Sequence, residues 1–172
     1  MHKKSFFALM LFVGILLLII ACSTTTRHYS DDPFYSSVGD WDSTRFPLVK
    51  PYEAASPDGN IWGVGLHTLQ SPEGIYWYFG IGDVQKIAVM NDVILVYTQD
   101  KPYVDKEAGQ KVLYWFVIIP DKKIETGFDN EDDFLKYIRE YGITKPAWED
   151  PKSIFQRFQE TGCLEWIPDC KQ

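Results

Sequence analysis

At 172 residues, with 45% hydrophobic and 16% aromatic content, the chain is long enough to bury a sizeable core and short enough to count as one domain. Its formal net charge of -7 excludes nucleic acid and anionic lipid headgroups as partners recognised mainly by charge. Only three histidines and three cysteines are present, which leaves few side chains for imidazole or thiol chemistry.

In chain order, a short basic start (His2, Lys3, Lys4) leads into an unbroken apolar run from Phe6 to Ala21. This is the layout of a secretory signal peptide. The run is shorter than the roughly 20 apolar residues of a spanning helix, and no positive cluster follows it. Its end, Leu18-Ile19-Ile20-Ala21-Cys22, resembles the lipobox of bacterial lipoproteins. The resemblance implies cleavage before Cys22 and a diacylglyceryl thioether on its sulfur, with acyl chains such as palmitate. Two or three chains anchor stably where one would bind reversibly. The mature protein is then expected in the cell envelope, held on the inner or outer membrane and facing the periplasm or the exterior. Ser23 stands where an Asp would resemble an inner-membrane retention signal. Loss of Lys3 and Lys4 takes the net charge from -7 to -9.

Assigning Cys22 to lipid leaves Cys163 and Cys170 as an even pair, and export allows them to form a disulfide. A redox or metal-binding pair would show C-x-x-C spacing or neighbouring histidines.

Residues 22 to 42 are rich in Ser, Thr and Asp without apolar periodicity and read as a flexible tether. Phe34, Tyr35 and Trp41 are the exceptions and are expected to dock on the domain that fills residues 43 to 172. Strand signals follow at Ile61 to Leu69, Ile75 to Ile81, Val84 to Met90 and Val93 to Thr98, the last two separated by the turn residues Asn91 and Asp92. Lys111 to Ile119 reads as a central strand, with Val112, Tyr114, Phe116 and Ile118 on one face and Leu113, Trp115, Val117 and Ile119 on the other. Lys123 to Thr126 reads as its antiparallel partner. A helix then starts at an Asp129 or Asn130 cap, carries Phe134, Leu135, Ile138 and Tyr141 on one face, and stops at Gly142. A second helix has Asp150 as cap, Pro151 in its first turn, Ile154, Phe155 and Phe158 as its stripe, and Gly162 as its stop. Strands first and helices last predict an α+β domain, an antiparallel meander with two C-terminal helices packed on one face.

The inventory for catalysis is thin. After processing and the tether are set aside, His67 is the one remaining histidine, and no metal-ligand partner stands at suitable spacing. No H-E-x-x-H, G-x-S-x-G or phosphate-cradling glycine loop occurs. Neither a metal nor a cofactor is implied. A carboxylate pair for glycoside hydrolysis remains open, because such pairs need not be close in sequence. Asp58-Gly59-Asn60 lacks the further ligands of a calcium loop and reads as a turn. The suggestive feature is the aromatic content, 27 residues with clusters at Tyr76-Trp77-Tyr78-Phe79 and Tyr114-Trp115-Phe116. If one sheet face stays uncovered, Tyr76, Tyr78 and Trp115 form a candidate binding surface; core packing beneath the helices is the alternative.

The segments KIAVMNDVILVYTQ, YWFVIIPDKKIETGF and NEDDFLKYIREYGI, in that order, resemble small bacterial lipoproteins of unassigned activity. The likeness covers the C-terminal half and brings no catalytic signature. The expectation is a lipid-anchored, non-enzymatic envelope module that binds a protein or a glycan, with a small carboxylate hydrolase acting on an envelope polymer as the alternative.

Overall fold

The computed structural model describes residues 30–39, 43–67, 80–100, 102–105 and 109–170. Cys22, Trp41, Tyr76 and Tyr78 lie outside the described residues, as do most of the strand expected from Ile75 and the end of the one expected to Leu69.

A single helical turn, α1 (Pro33–Ser36), is capped by Asp32, whose carboxylate accepts the Phe34 N–H. It lies along β1 (Thr44–Pro47). Tyr35 is buried, and its hydroxyl accepts the Lys50 N–H at 3.2 Å. The Arg45 guanidinium donates to the carbonyls of Phe34 and Ser37 at 3.0 and 3.1 Å, so it satisfies backbone acceptors that a polar segment would otherwise give to water. The docking expected of Phe34 and Tyr35 is present, and residues 30 to 39, read by composition as tether, pack against the domain.

β1, β2 (Glu53–Ser56), β3 (Gly63–Gly65) and β4 (Gly80–Ile81) pair antiparallel in sequence order as a first sheet. The chain then crosses into a second sheet through Asp83, at φ 50°. β5 (Val84–Met90) and β6 (Val93–Thr98) form a hairpin closed by Asn91 and Asp92 at φ 53° and 59°, the left-handed pair that matches strand twist. A two-stranded ribbon, β7 (Tyr103–Asp105) with β8 (Lys111–Leu113), is inserted before β9 (Trp115–Ile119) and β10 (Ile124–Phe128) complete the second sheet, in the order β10-β9-β6-β5.

The expected central strand therefore divides at Tyr114. Both backbone groups of Tyr114 stay bonded to the second sheet, its carbonyl accepting from Thr98 and its N–H donating to Phe128, while Lys111–Leu113 pairs with β7. The break shifts the alternation: Leu113 joins Phe116 and Ile118 in one cluster, not Trp115, Val117 and Ile119 in the other.

The two C-terminal helices are placed by their caps. In α2 (Glu131–Arg139) the Asn130 side chain accepts the Asp133 N–H at 2.9 Å, and in α3 (Pro151–Thr161) Asp150 accepts the Ser153 N–H at 2.9 Å with Pro151 in the first turn. Gly162 ends α3 at φ 71°, a conformation that glycine adopts without strain, and its N–H returns to the Phe158 carbonyl. α2 ends at Arg139, and Gly142 follows at φ 75°.

The α+β class, antiparallel meander order and two C-terminal helices packed on the sheet are present; the helices, expected together on one face, instead take opposite faces of the second sheet, because alternation along β6 and β9 leaves both faces apolar. Ile154, Phe155 and Phe158 of α3 pack with Phe46, Trp62, Ile87, Ile94, Val96 and Ile118 between the sheets. Phe134 and Ile138 of α2 pack with Ala88, Val93, Leu95, Val117 and Ile119 on the other face of the second sheet. Alternation along β6 serves both clusters, which is why Val93 to Val96 is a continuous buried run.

Candidate functional site

One end of the α2 face carries a row of side chains running across all four strands of the second sheet. The register places Lys86 opposite Tyr97, Tyr97 opposite Trp115, and Trp115 opposite Phe128. Directly opposed side chains in antiparallel strands stand roughly 5 Å apart at Cβ, so the row is contiguous. Tyr97 and Trp115 have ring centroids 5.4 Å apart, Tyr114 meets Trp115 edge-on at 5.7 Å, and the Lys86 ammonium sits 5.5 Å from the Tyr97 ring. Phe128 continues the contacts to Tyr137 at 5.3 Å, and Tyr137 to Tyr141 at 5.5 Å. The hydrogen bond with the Tyr141 hydroxyl, and after it burial, push the Tyr137 phenol up to about 12.

Tyr97, Tyr114, Trp115, Phe128, Tyr137 and Tyr141 are all half-buried, and Trp115, Phe128, Tyr137 and Tyr141 pack against the cluster beneath α2, so part of each ring belongs to the core. Of the expected binding residues Trp115 is at the centre of this row. Tyr97 and Phe128 were not singled out from sequence, because each is isolated in its own segment; only the strand register aligns them with Trp115.

The opposite face of β10 forms a second candidate. Glu125 accepts the Tyr52 hydroxyl at 2.7 Å and the backbone N–H of His67, tying the residue before β2 and the segment after β3 to the second sheet. The His67 ring stands edge-on to Tyr52, with centroids 4.7 Å apart. Beside Glu125 lies a cleft of about 100 Å³ lined by Leu66, Tyr103, Asp105, Leu113, Phe116 and Glu125 among others. Asp105 and Glu125 are thus two carboxylates on one cavity. Typical small-molecule sites occupy roughly 300 to 1,000 Å³.

Burial first, and then the hydrogen bond to Glu125, raise the Tyr52 phenol above its ordinary value of 10.0. The folded protein holds that proton more tightly than the unfolded chain does. The contribution is complete below pH 10 and is lost as pH rises from there through the folded value. Tyr52→Phe carries no such proton, so its urea midpoint is expected to fall less steeply above pH 10 than that of the wild type; parallel slopes would disprove the coupling.

The remaining sequence candidates resolve simply. The Asp58 carboxylate accepts from the Ile61 and Asn60 N–H groups and from Ser56, bonds that lower its pKa and make Asp58-Gly59-Asn60 the expected turn. Cys163 and Cys170 are joined as a disulfide. No family model matches the chain, and no curated protein or solved structure matches it significantly.

Proposed function

We propose that the chain is a bacterial lipoprotein, cut before Cys22, held in the envelope by lipid on that cysteine, and acting as a non-enzymatic module that binds a protein or a glycan. The observation that carries the binding half is the contiguous, half-buried aromatic row Tyr97–Trp115–Phe128. Aromatic rings held in place by a sheet offer apolar area at little entropic cost, which suits sugar rings and partner side chains alike. The anchor half rests on the lipobox pattern before Cys22 and the polar segment after it. The resemblance of the C-terminal half to small lipoproteins supports the same address.

The test has two arms. Mass spectrometry of the mature protein should find Cys22 acylated, and Cys22→Ala should leave the leader uncut; cleavage and membrane retention of that variant would overturn the anchor. Trp115→Ala, in a protein whose circular dichroism is unchanged, should lose binding to purified envelope glycan or protein fractions, and unchanged binding would overturn the site.

Asp105 and Glu125 on one cleft favour the second reading, a carboxylate hydrolase. The cavity's small size and the engagement of Glu125 by Tyr52 and His67 favour a structural joint there. Glycan cleavage abolished by Glu125→Gln and untouched by Trp115→Ala would select the hydrolase.

A further inference from the structure

We infer that the ligand of the aromatic row is an uncharged polysaccharide, gripped at the Tyr97 end, a choice that rests on the binding role proposed above and narrows it to one class of partner. β5 carries an irregularity at this end. Val84 and Ile87 both enter the cluster between the sheets, although residues three apart point to opposite faces of a regular strand. A β-bulge makes this possible: the register moves from Val84 opposite Thr98 to Lys86 opposite Tyr97, so Gln85 is the extra residue. Two successive polar side chains, Gln85 and Lys86, are thereby turned away from the core beside the row.

A polar rim surrounds the half-buried Tyr97 ring. The Gln85 amide donates to Asp100 at 2.8 Å, the Tyr97 hydroxyl donates to the Gln99 amide oxygen at 3.1 Å, and the Lys86 ammonium lies 5.5 Å from the ring centroid. Each glutamine thus has one end of its amide engaged within the rim. The Gln85 carbonyl oxygen, the Gln99 N–H groups and the Lys86 ammonium are left to meet a ligand. Sugar hydroxyls both donate and accept, while the C–H face of a pyranose ring is apolar, so one sugar can use the ring floor and the amide rim together. An apolar protein surface laid on the same floor would strip water from the rim and leave its polar groups unpaired. The charged side chains that register and bonding place at this end are Lys86 and Asp100, one of each sign, which matches a chain without net charge better than an acidic one.

Calorimetric titration of the full mature protein, in a detergent without sugar, with cellohexaose, chitohexaose and polygalacturonate tests this. At least one of the two neutral chains should bind, and more tightly than the polyanion. Tyr97→Ala should weaken that binding by about tenfold or more, and Gln85→Ala or Gln99→Ala by about threefold to tenfold, with circular dichroism unchanged. Neither neutral chain bound, while an envelope protein fraction is captured by the wild type and lost by Trp115→Ala, overturns the polysaccharide and leaves the row as a binding surface. Preference for polygalacturonate overturns the uncharged ligand. Neutral-chain binding indifferent to Tyr97→Ala and Gln85→Ala overturns the rim as its site. Failure to bind any glycan or protein fraction removes the binding role of the row together with its sugar specificity.

Discussion

Phe134→Ala is expected to lower stability by about 3 to 5 kcal/mol, the range for emptying a large aromatic site in a core. Phe134 is fully buried and is one of only two buried residues of α2, the other being Ile138. Its ring stacks against Trp148 at 5.9 Å and meets Phe128 edge-on at 6.1 Å, so it joins the helix, the loop before α3 and β10 at one point. The nine residues of α2 form a helix too short to persist in isolation, whatever its Asn130 cap and acidic first turn contribute. Truncation therefore leaves both a cavity and a poorly clamped helix above Val117 and Leu95. Leu135→Ala, at a half-buried position on the same helix, should cost much less. Urea unfolding of the three proteins measures the difference. A loss below about 1 kcal/mol for Phe134→Ala would mean that α2 is held by something else.

The same helix shows which parts of the fold could be read from residues alone. Its cap, its apolar stripe and the Asp150-Pro151 start of α3 are local signals, decided by atoms a few positions apart. The β5–β6 hairpin is legible for the same reason: two alternating runs flank a pair of residues that tolerate positive φ. β1 and β2 carry no such local signal. Thr44–Pro47 ends in proline, and in Glu53–Ser56 the buried positions are Ala54 and Ser56, too small to give a hydrophobic period. They become strands because each finds the other and β3, a non-local event.

The division at Tyr114 was hidden for a different reason. Apolar residues stand on both sides of the break, so the period gives no sign that Leu113 changes face. The packing of residues 30 to 39 was masked by composition, since their order comes from the Arg45 guanidinium and from one buried tyrosine. The aromatic row was half legible. Trp115 stood out as part of a cluster, whereas Tyr97 and Phe128 acquire meaning only through the register of β6, β9 and β10.

Removing the disulfide is expected to cost about 2.5 kcal/mol, the loop-entropy value for an eight-residue ring. Cys163 and Cys170 enclose a segment that contributes Leu164 and Ile167 to the core between the sheets. Trp166 in the same loop donates to the Pro47 carbonyl of β1 at 3.0 Å, which brings the end of the chain back to its beginning. Nearby, Arg157 of α3 holds Glu149 through both guanidinium nitrogens, at 2.6 and 3.1 Å, and reaches Glu165 at 3.3 Å; the bond to Glu149 is the larger cause that raises its pKa. These contacts keep the folded loop in place when the covalent link is cut, so the cost falls mainly on the unfolded ensemble, which regains freedom. Cys163→Ser/Cys170→Ser should therefore unfold at lower urea while its circular dichroism stays native. The wild type in reductant should show the same shift, and the double variant should not respond to reductant at all. Because the loop packs on the face of the second sheet opposite Trp115, ligand capture by the aromatic row should survive in the double variant. A double variant as stable as the wild type would show that the ring constrains nothing; one that keeps its stability but loses binding would give the cysteine pair a functional role.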